Sequence, residues 1–360
     1  MRTHLSFSVA ALSLCLAAGC GIPGAPMPPS LELPRPVNDL TAVRKGDRVL
    51  LSWSEPVETT DRRNIRRPGL TVICRSVGEY PMKDCTPVKR LRPDELHSAS
   101  VPGRKPRVTF EDVLPAEGQS ATQFAAYAIE VLNPQGKNAG LSNQVLVPLA
   151  PALPPVRDLR AEVTPDAVVL RWTAPELPGR FANVSYSFRV YRKPAEAPAY
   201  TLLRDIPFTG GVETLSDRSF EWEHPYQYKV VGVERVQLPI GEPIEFESED
   251  SPVISVLPHD IFPPATPTGL QAVFSGTGQK PFIDLTWAPN MEADLAGYNV
   301  FRSEAGRAPV QLNQQLIKAP AFRDENVVAG HSYTYTVNAV DERDNQSPRS
   351  QPATESVPLP

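Results

Sequence analysis

Three tryptophans, Trp53, Trp172 and Trp287, mark copies of one pattern in this 360-residue chain, at intervals of 119 and 115 residues. Each closes a strand-like run: Leu50-Leu51-Ser52-Trp53, Val169-Leu170-Arg171-Trp172 and Asp284-Leu285-Thr286-Trp287. A Pro-rich entry and a first short strand precede each run, as in Thr268-Gly269-Leu270-Gln271-Ala272-Val273. A second alternating run follows and reaches a basic residue: Val72-Ile73-Cys74-Arg75, Phe188-Arg189-Val190-Tyr191-Arg192 and Tyr298-Asn299-Val300-Phe301-Arg302. Alternation with period two is the signature of strands buried on one face. Recurrence at one interval makes the pattern a structural unit, used three times. The chain has 41 prolines, about twice the usual share, and clusters of them at 23–36, 148–155 and 258–267 stand ahead of the three copies. Proline cannot donate to a ladder, so these clusters read as linkers and strand entrances.

On these residues the units resemble fibronectin type III domains, immunoglobulin-like sandwiches of roughly 100 residues. The resemblance covers about residues 34–360. It implies an all-β fold of three tandem sandwiches, over 37–150, 155–258 and 264–360. It also implies that Trp53, Trp172 and Trp287 fill the space between two sheets, and that Tyr226 and Tyr333 are corner tyrosines opening the sixth strand. The first unit departs from the pattern, with an alanine between Phe124 and Tyr127 at the corner and a long insert after Trp53. Trp222 lies outside the repeat, just before the second corner.

The N-terminus carries an address. Arg2 and His4 precede an apolar stretch, Leu5 to Ala18, that ends Leu16-Ala17-Ala18-Gly19-Cys20. This resembles a bacterial lipoprotein signal over 1–19, with Cys20 as the lipid-carrying residue and 20–36 as a Pro-rich tether. Ala17 stands where leucine is usual, and an ordinary secretory signal is the alternative. Several acyl chains at about 0.8 kcal/mol per buried CH₂ would hold the protein on a membrane. The resemblance implies a cell-envelope location; Gly21 after the cysteine points to the outer membrane.

The formal net charge of −5 argues against general nucleic-acid binding. The charge is uneven, at about +4 over 34–153, −6 over 154–262 and −3 over 263–360. Arg62, Arg63, Arg66 and Arg67 lie in the first unit's insert. They read either as a solvated loop or as a contact for an anionic surface. With Cys15 in the signal and Cys20 lipidated, Cys74 and Cys85 remain as a pair, and a hairpin across Gly78-Glu79-Tyr80-Pro81 would let them bond.

The five histidines are scattered, without metal-ligand spacing, and no nucleophile elbow or phosphate loop is present. Asp341 to Ser347 lacks the glycine and terminal glutamate of a calcium loop, and Lys45-Gly46-Asp47 is turn chemistry. No catalytic residue, metal or cofactor is expected. The expected function is a non-catalytic envelope rod that binds or spaces a protein or glycan partner. Candidate surfaces are Trp222 and the four arginines; the alternative is a carbohydrate-binding accessory protein.

Overall fold

The computed structural model describes residues 31–96, 98–99, 107–115, 119–275, 280–304 and 306–359. The signal segment, Cys20 and most of the tether lie outside them. The chain forms two compact units, Met1–Ala150 and Pro151–Pro360. Among the described residues the sole helical turn is Pro93–Glu95; the ordered structure is otherwise β.

The first unit holds β1 (Thr41–Lys45), β2 (Arg48–Trp53), β3 (Thr71–Val77), β4 (Pro87–Leu91), β5 (Ser98–Ala99), β6 (Arg107–Val113), β7 (Phe124–Val131) and β8 (Val145–Pro148). One sheet runs β1-β2-β6-β5 and the other β4-β3-β7-β8. Gly46 and Asp47 make the β1–β2 turn, with Gly46 at φ 56°, a left-handed backbone that glycine adopts without strain.

The second unit contains two sandwiches. The earlier has β9 (Arg157–Thr164), β10 (Ala167–Thr173) and β13 (Val212–Asp217) facing β11 (Val184–Pro194), β12 (Thr201–Pro207), β14 (Tyr226–Val236), β15 (Ile244–Glu247) and β16 (Ile254–Val256). In the later one, β17 (Gln271–Ser275), β18 (Phe282–Thr286) and β21 (Ala321–Asp324) face β19 (Leu295–Glu304), β20 (Val310–Gln311), β22 (Ser332–Asp341) and β23 (Ala353–Ser356). A short sheet over a longer one, all antiparallel, is the fibronectin type III arrangement that the repeats imply.

Each core is built on the same inward triplet. Val49, Leu51 and Trp53 fill the first; Val168, Leu170 and Trp172 the second; Ile283, Leu285 and Trp287 the third. Side chains two apart on a strand share a face, so one register places all three.

A polar clasp recurs as faithfully as the tryptophan. Asp112 Oδ2 accepts from Tyr127 Oη at 2.6 Å and from Arg75 Nη1 at 2.7 Å. Asp217 Oδ2 accepts from Tyr228 at 2.9 Å and Arg192 at 2.7 Å; Asp324 Oδ2 does so from Tyr335 at 2.9 Å and Arg302 at 2.7 Å. In every copy the arginine and tyrosine are cross-strand partners, while the aspartate belongs to the opposite sheet. The clasp therefore ties the two sheets together beside the core. The basic residues that end the sequence repeats are its arginines.

Burial raises the pKa of Asp217, but the N–H and hydroxyl of Ser219, Tyr228 and Arg192 outweigh it and leave the carboxyl below its ordinary value. A folded value below the unfolded one means stability that is complete above about pH 4 and is lost as the pH falls through the folded value. Melting temperatures recorded from pH 7 to pH 2 should fall below about pH 4. Asp217→Asn, weaker at neutral pH, should show a shallower fall; parallel curves would contradict this.

The corner tyrosines follow expectation in two copies. Tyr226 Oη accepts from Glu221 N at 3.1 Å, and Tyr333 Oη from Val328 N at 3.0 Å, each across five residues. In the first sandwich the equivalent position is the buried Ala125, and Tyr127 aligns instead with the clasp tyrosines.

Candidate functional site

The structure places the sequence-predicted residues in four settings. Cys20 lies outside the described residues. The three tryptophans and the two corner tyrosines are buried in the cores.

Cys74 and Cys85 are disulfide-bonded, with Cα atoms 5.1 Å apart. Cys74 sits in the middle of β3. The linked loop lays Met82 beside Val72, Cys74, Ala126 and Ala128, a second small core on the outer face of the β3–β7 pair. Residue by residue, β7 is buried on both faces for this reason. Closing so short a loop contributes about 2–3 kcal/mol on the chain-entropy account.

The four arginines decorate a built hairpin. Glu58 bridges Asn64, Ile65 N donates to Val57 O at 3.0 Å, and Thr59 N donates to Arg63 O at 2.7 Å. Thr59, 1% exposed, holds the turn: its hydroxyl donates to Asp61 at 2.5 Å and accepts from Arg63 N at 3.0 Å. The turn places Arg62 at φ 62°. Arg63 pairs with Asp61 at 3.2 Å, and all four arginine side chains are exposed. The hairpin is joined to the chain entering the sandwich. Thr60 N donates to Leu33 O at 2.9 Å, Arg35 N donates to Glu58 O at 3.0 Å, and Pro34 bridges Thr59.

Trp222 is half-buried. Its ring meets Phe220 edge-on at 4.8 Å and Phe262 at 6.1 Å, the latter from the linker that leads into the third sandwich. The neighbouring Glu223, at φ 63°, faces His259 Nδ1 at 2.8 Å and accepts from Arg343 Nη1 at 3.0 Å. Hydrogen bonding by His259 is the main cause that lowers its pKa. Asn345 Nδ2 donates to Asp260 O at 3.2 Å. These bonds join the second sandwich, the linker and the β22–β23 turn of the third.

That turn is organised by Asp341, whose Oδ1 accepts from Arg343 N and Asn345 N, each at 2.8 Å. Asp260 and Asp294 bring a carboxylate oxygen to it, all three within 4.8 Å. Asp260 is 5% and Asp341 1% exposed. Oxygen donors of this kind suit a hard divalent cation, though three protein ligands are fewer than the six to eight calcium takes. Asp260 lies 81 residues before Asp341, so the loop's own sequence could not show the grouping.

The acidic strand is neutralised by its neighbours. Arg189 binds Glu247 at 3.2 Å and Glu245 at 3.4 Å, and Lys229 binds Asp250 at 3.0 Å. Tyr191 donates to Glu247 at 2.5 Å, and burial together with that bond pushes its pKa up to about 12.

No family model matches the chain. Two segments of curated proteins are similar to part of it. An amylopullulanase of Thermoanaerobacterium saccharolyticum is 33% identical over 91 residues, 25% of this chain and 7% of that protein. An amylopullulanase of Thermoanaerobacterium thermosulfurigenes is 33% identical over 89 residues, 24% of this chain and 4% of that protein. The chain thus spans under a tenth of the length of either relative. Among solved structures, the chicken CNTN1 FN1–FN3 domains are 14% identical, covering 90% of this chain and 99% of that one, with a TM-score of 0.26. An Fn3-like protein from Clostridium thermocellum is 30% identical, covering 28% of this chain and 98% of that one, with a TM-score of 0.23.

Proposed function

We propose that this chain is a non-catalytic lipoprotein of the cell envelope, whose three sandwiches bind or space another macromolecule near the membrane. The observation that carries the reading is the use made of buried ionisable groups. Arg75, Asp112 and Tyr127, and their two counterparts, recur at matched positions and bond to one another as ties between sheets. A set repeated in every copy serves the fold, since function on a shared scaffold lives where copies differ. The differences are the arginine hairpin and disulfide of the first unit and the Trp222 junction of the second.

Membrane fractionation of cells expressing the full chain tests the anchor. Cys20→Ser is expected to move the protein to the soluble fraction; unchanged fractionation refutes lipidation. Crosslinking and pull-down from membranes, with the mature chain as bait, then tests for the partner, and hydrolase activity removed by one carboxylate substitution would overturn the non-catalytic assignment.

A second reading draws on the likeness to segments of two amylopullulanases: an accessory protein that binds carbohydrate. Trp222 would be its aromatic contact, although Phe220 and Phe262 cover part of the ring. Saccharide-specific binding on a glycan array, lost in Trp222→Ala, would favour this reading over the first.

A further inference from the structure

We propose that the arginine hairpin of the first sandwich is a docking element for an anionic phospholipid surface, the same membrane that the Cys20 anchor would hold. The inference rests on the lipoprotein reading above for the identity of that membrane.

Three observations carry it. The first is position. The hairpin is hydrogen-bonded to Leu33 and Arg35, on either side of Pro34, the place where the N-terminal chain enters the sandwich. Cys20 and Leu31 are eleven positions apart. At most about 3.6 Å each, these positions span no more than about 40 Å. The hairpin therefore stays close to any surface that holds Cys20.

The second is charge. Arg63 is engaged by Asp61 and Arg35 by Glu58, whereas Arg62, Arg66 and Arg67 are exposed and make no ion pair among the described residues. Three unneutralised guanidinium groups on one loop are strong ligands for phosphate oxygens. In a net-negative protein, these three charges stand on the hairpin that is bonded to the entering chain, where a leaflet holding Cys20 would meet them.

The third is amphipathicity. Val57, at the base of the hairpin, is 73% exposed, and Leu31, on the entering chain, is 66% exposed. Leu31 O is held by Asn133 Nδ2 at 2.7 Å, which fixes the backbone at that point. Apolar side chains beside arginines are the combination that settles into the headgroup layer. A solvated loop needs neither the apolar residues nor the rigid turn that Thr59 provides.

The test uses the chain from residue 20 onward carrying Cys20→Ser, so that no acyl chain contributes. Cosedimentation is measured with vesicles of phosphatidylcholine alone and with about 30 mol% phosphatidylglycerol added, the anionic lipid supplying the negative surface potential that attracts basic segments. Capture by the anionic vesicles only is expected. The triple substitution Arg62→Gln, Arg66→Gln, Arg67→Gln should weaken the partitioning about tenfold or more, as should salt that shortens the Debye length to about 3 Å. Val57→Ser should reduce it without changing the salt dependence. Equal capture by both vesicle types, or a triple variant that binds like its parent, overturns the proposal. Capture by neither vesicle with retention on a sulfated polysaccharide column also overturns it, and assigns the hairpin to a soluble polyanion. Circular dichroism and melting of the triple variant confirm its fold; the salt arm decides the question on the unmutated loop. Failure of the anchor would appear in the fractionation of Cys20→Ser alone, so the two ideas fail separately.

Discussion

Asp324→Ala should lower the unfolding free energy of the Pro151–Pro360 unit by about 3–5 kcal/mol, the cost of breaking a buried ion pair by removing one partner. Asp324 is 3% exposed and accepts from Arg302, Tyr335 and, through its other oxygen, Asn326 N at 3.0 Å. Alanine leaves a guanidinium and a phenol facing each other with no acceptor between them. The tyrosine hydroxyl loses its hydrogen bond, and the arginine loses its charge partner and is left with the carbonyl of Asn326, to which its Nη1 donates at 2.7 Å. Since domains are stable by only about 5–15 kcal/mol, the loss should be plain in urea titrations followed by tryptophan fluorescence. Tyr335→Phe keeps the Arg302–Asp324 pair and should cost less, about 1–2 kcal/mol. A loss under about 1 kcal/mol for Asp324→Ala, the worth of an exposed ion pair, would show that the clasp is not a structural tie.

Trp172→Ala should cost a similar amount, about 3–5 kcal/mol, by a different route. The indole is 1% exposed and meets Phe188 edge-on at 5.6 Å, while Phe188 stacks on Phe208 at 5.3 Å. Removing it strips the transfer energy of the ring and leaves a cavity between sheets that the paired ladders keep apart. Trp222→Ala is the internal comparison. Its side chain is only partly buried, against Phe220 and Phe262, so truncation there should cost less than at Trp172 by area alone. Equal losses at the two positions in thermal unfolding would mean that the junction, and not the sandwich core, governs the stability of this unit.

Much of the fold can be read from the chain. Strands written with period two show their buried faces directly, and a tryptophan repeated at a near-constant interval shows that one sandwich recurs. The cysteine pair is legible because both members flank one turn. The clasp is only half legible. Arg75, Arg192 and Arg302 stand out at the ends of the repeats. Their aspartates do not, because Asp112, Asp217 and Asp324 sit 37, 25 and 22 residues beyond the arginines on a strand of the opposite sheet. A fixed spacing cannot mark residues joined across a core when the intervening loops differ in length. The same reason hides the grouping of Asp260 and Asp294 with Asp341, and the cover that Phe262 lays on Trp222. The arginine run was visible in the sequence; its attachment to Leu33 and Arg35 was not, since that pairing lies outside any repeated strand.

The crosslink between Cys74 and Cys85 also changes what the first sandwich can do under load. A polypeptide pulled straight lengthens by about 3.3–3.6 Å for every residue released. The residues bracketed by this bond, 11 apart in sequence with Cα atoms 5.1 Å apart, cannot be paid out. If the sandwich is stretched between an anchored end and a held partner, its fully extended length falls short by about 30 Å. Tension passes through two sulfur atoms instead of through the loop. The loop that carries Met82 into its small core is thereby bypassed by the force and stays closed while the strands on either side of it are drawn out.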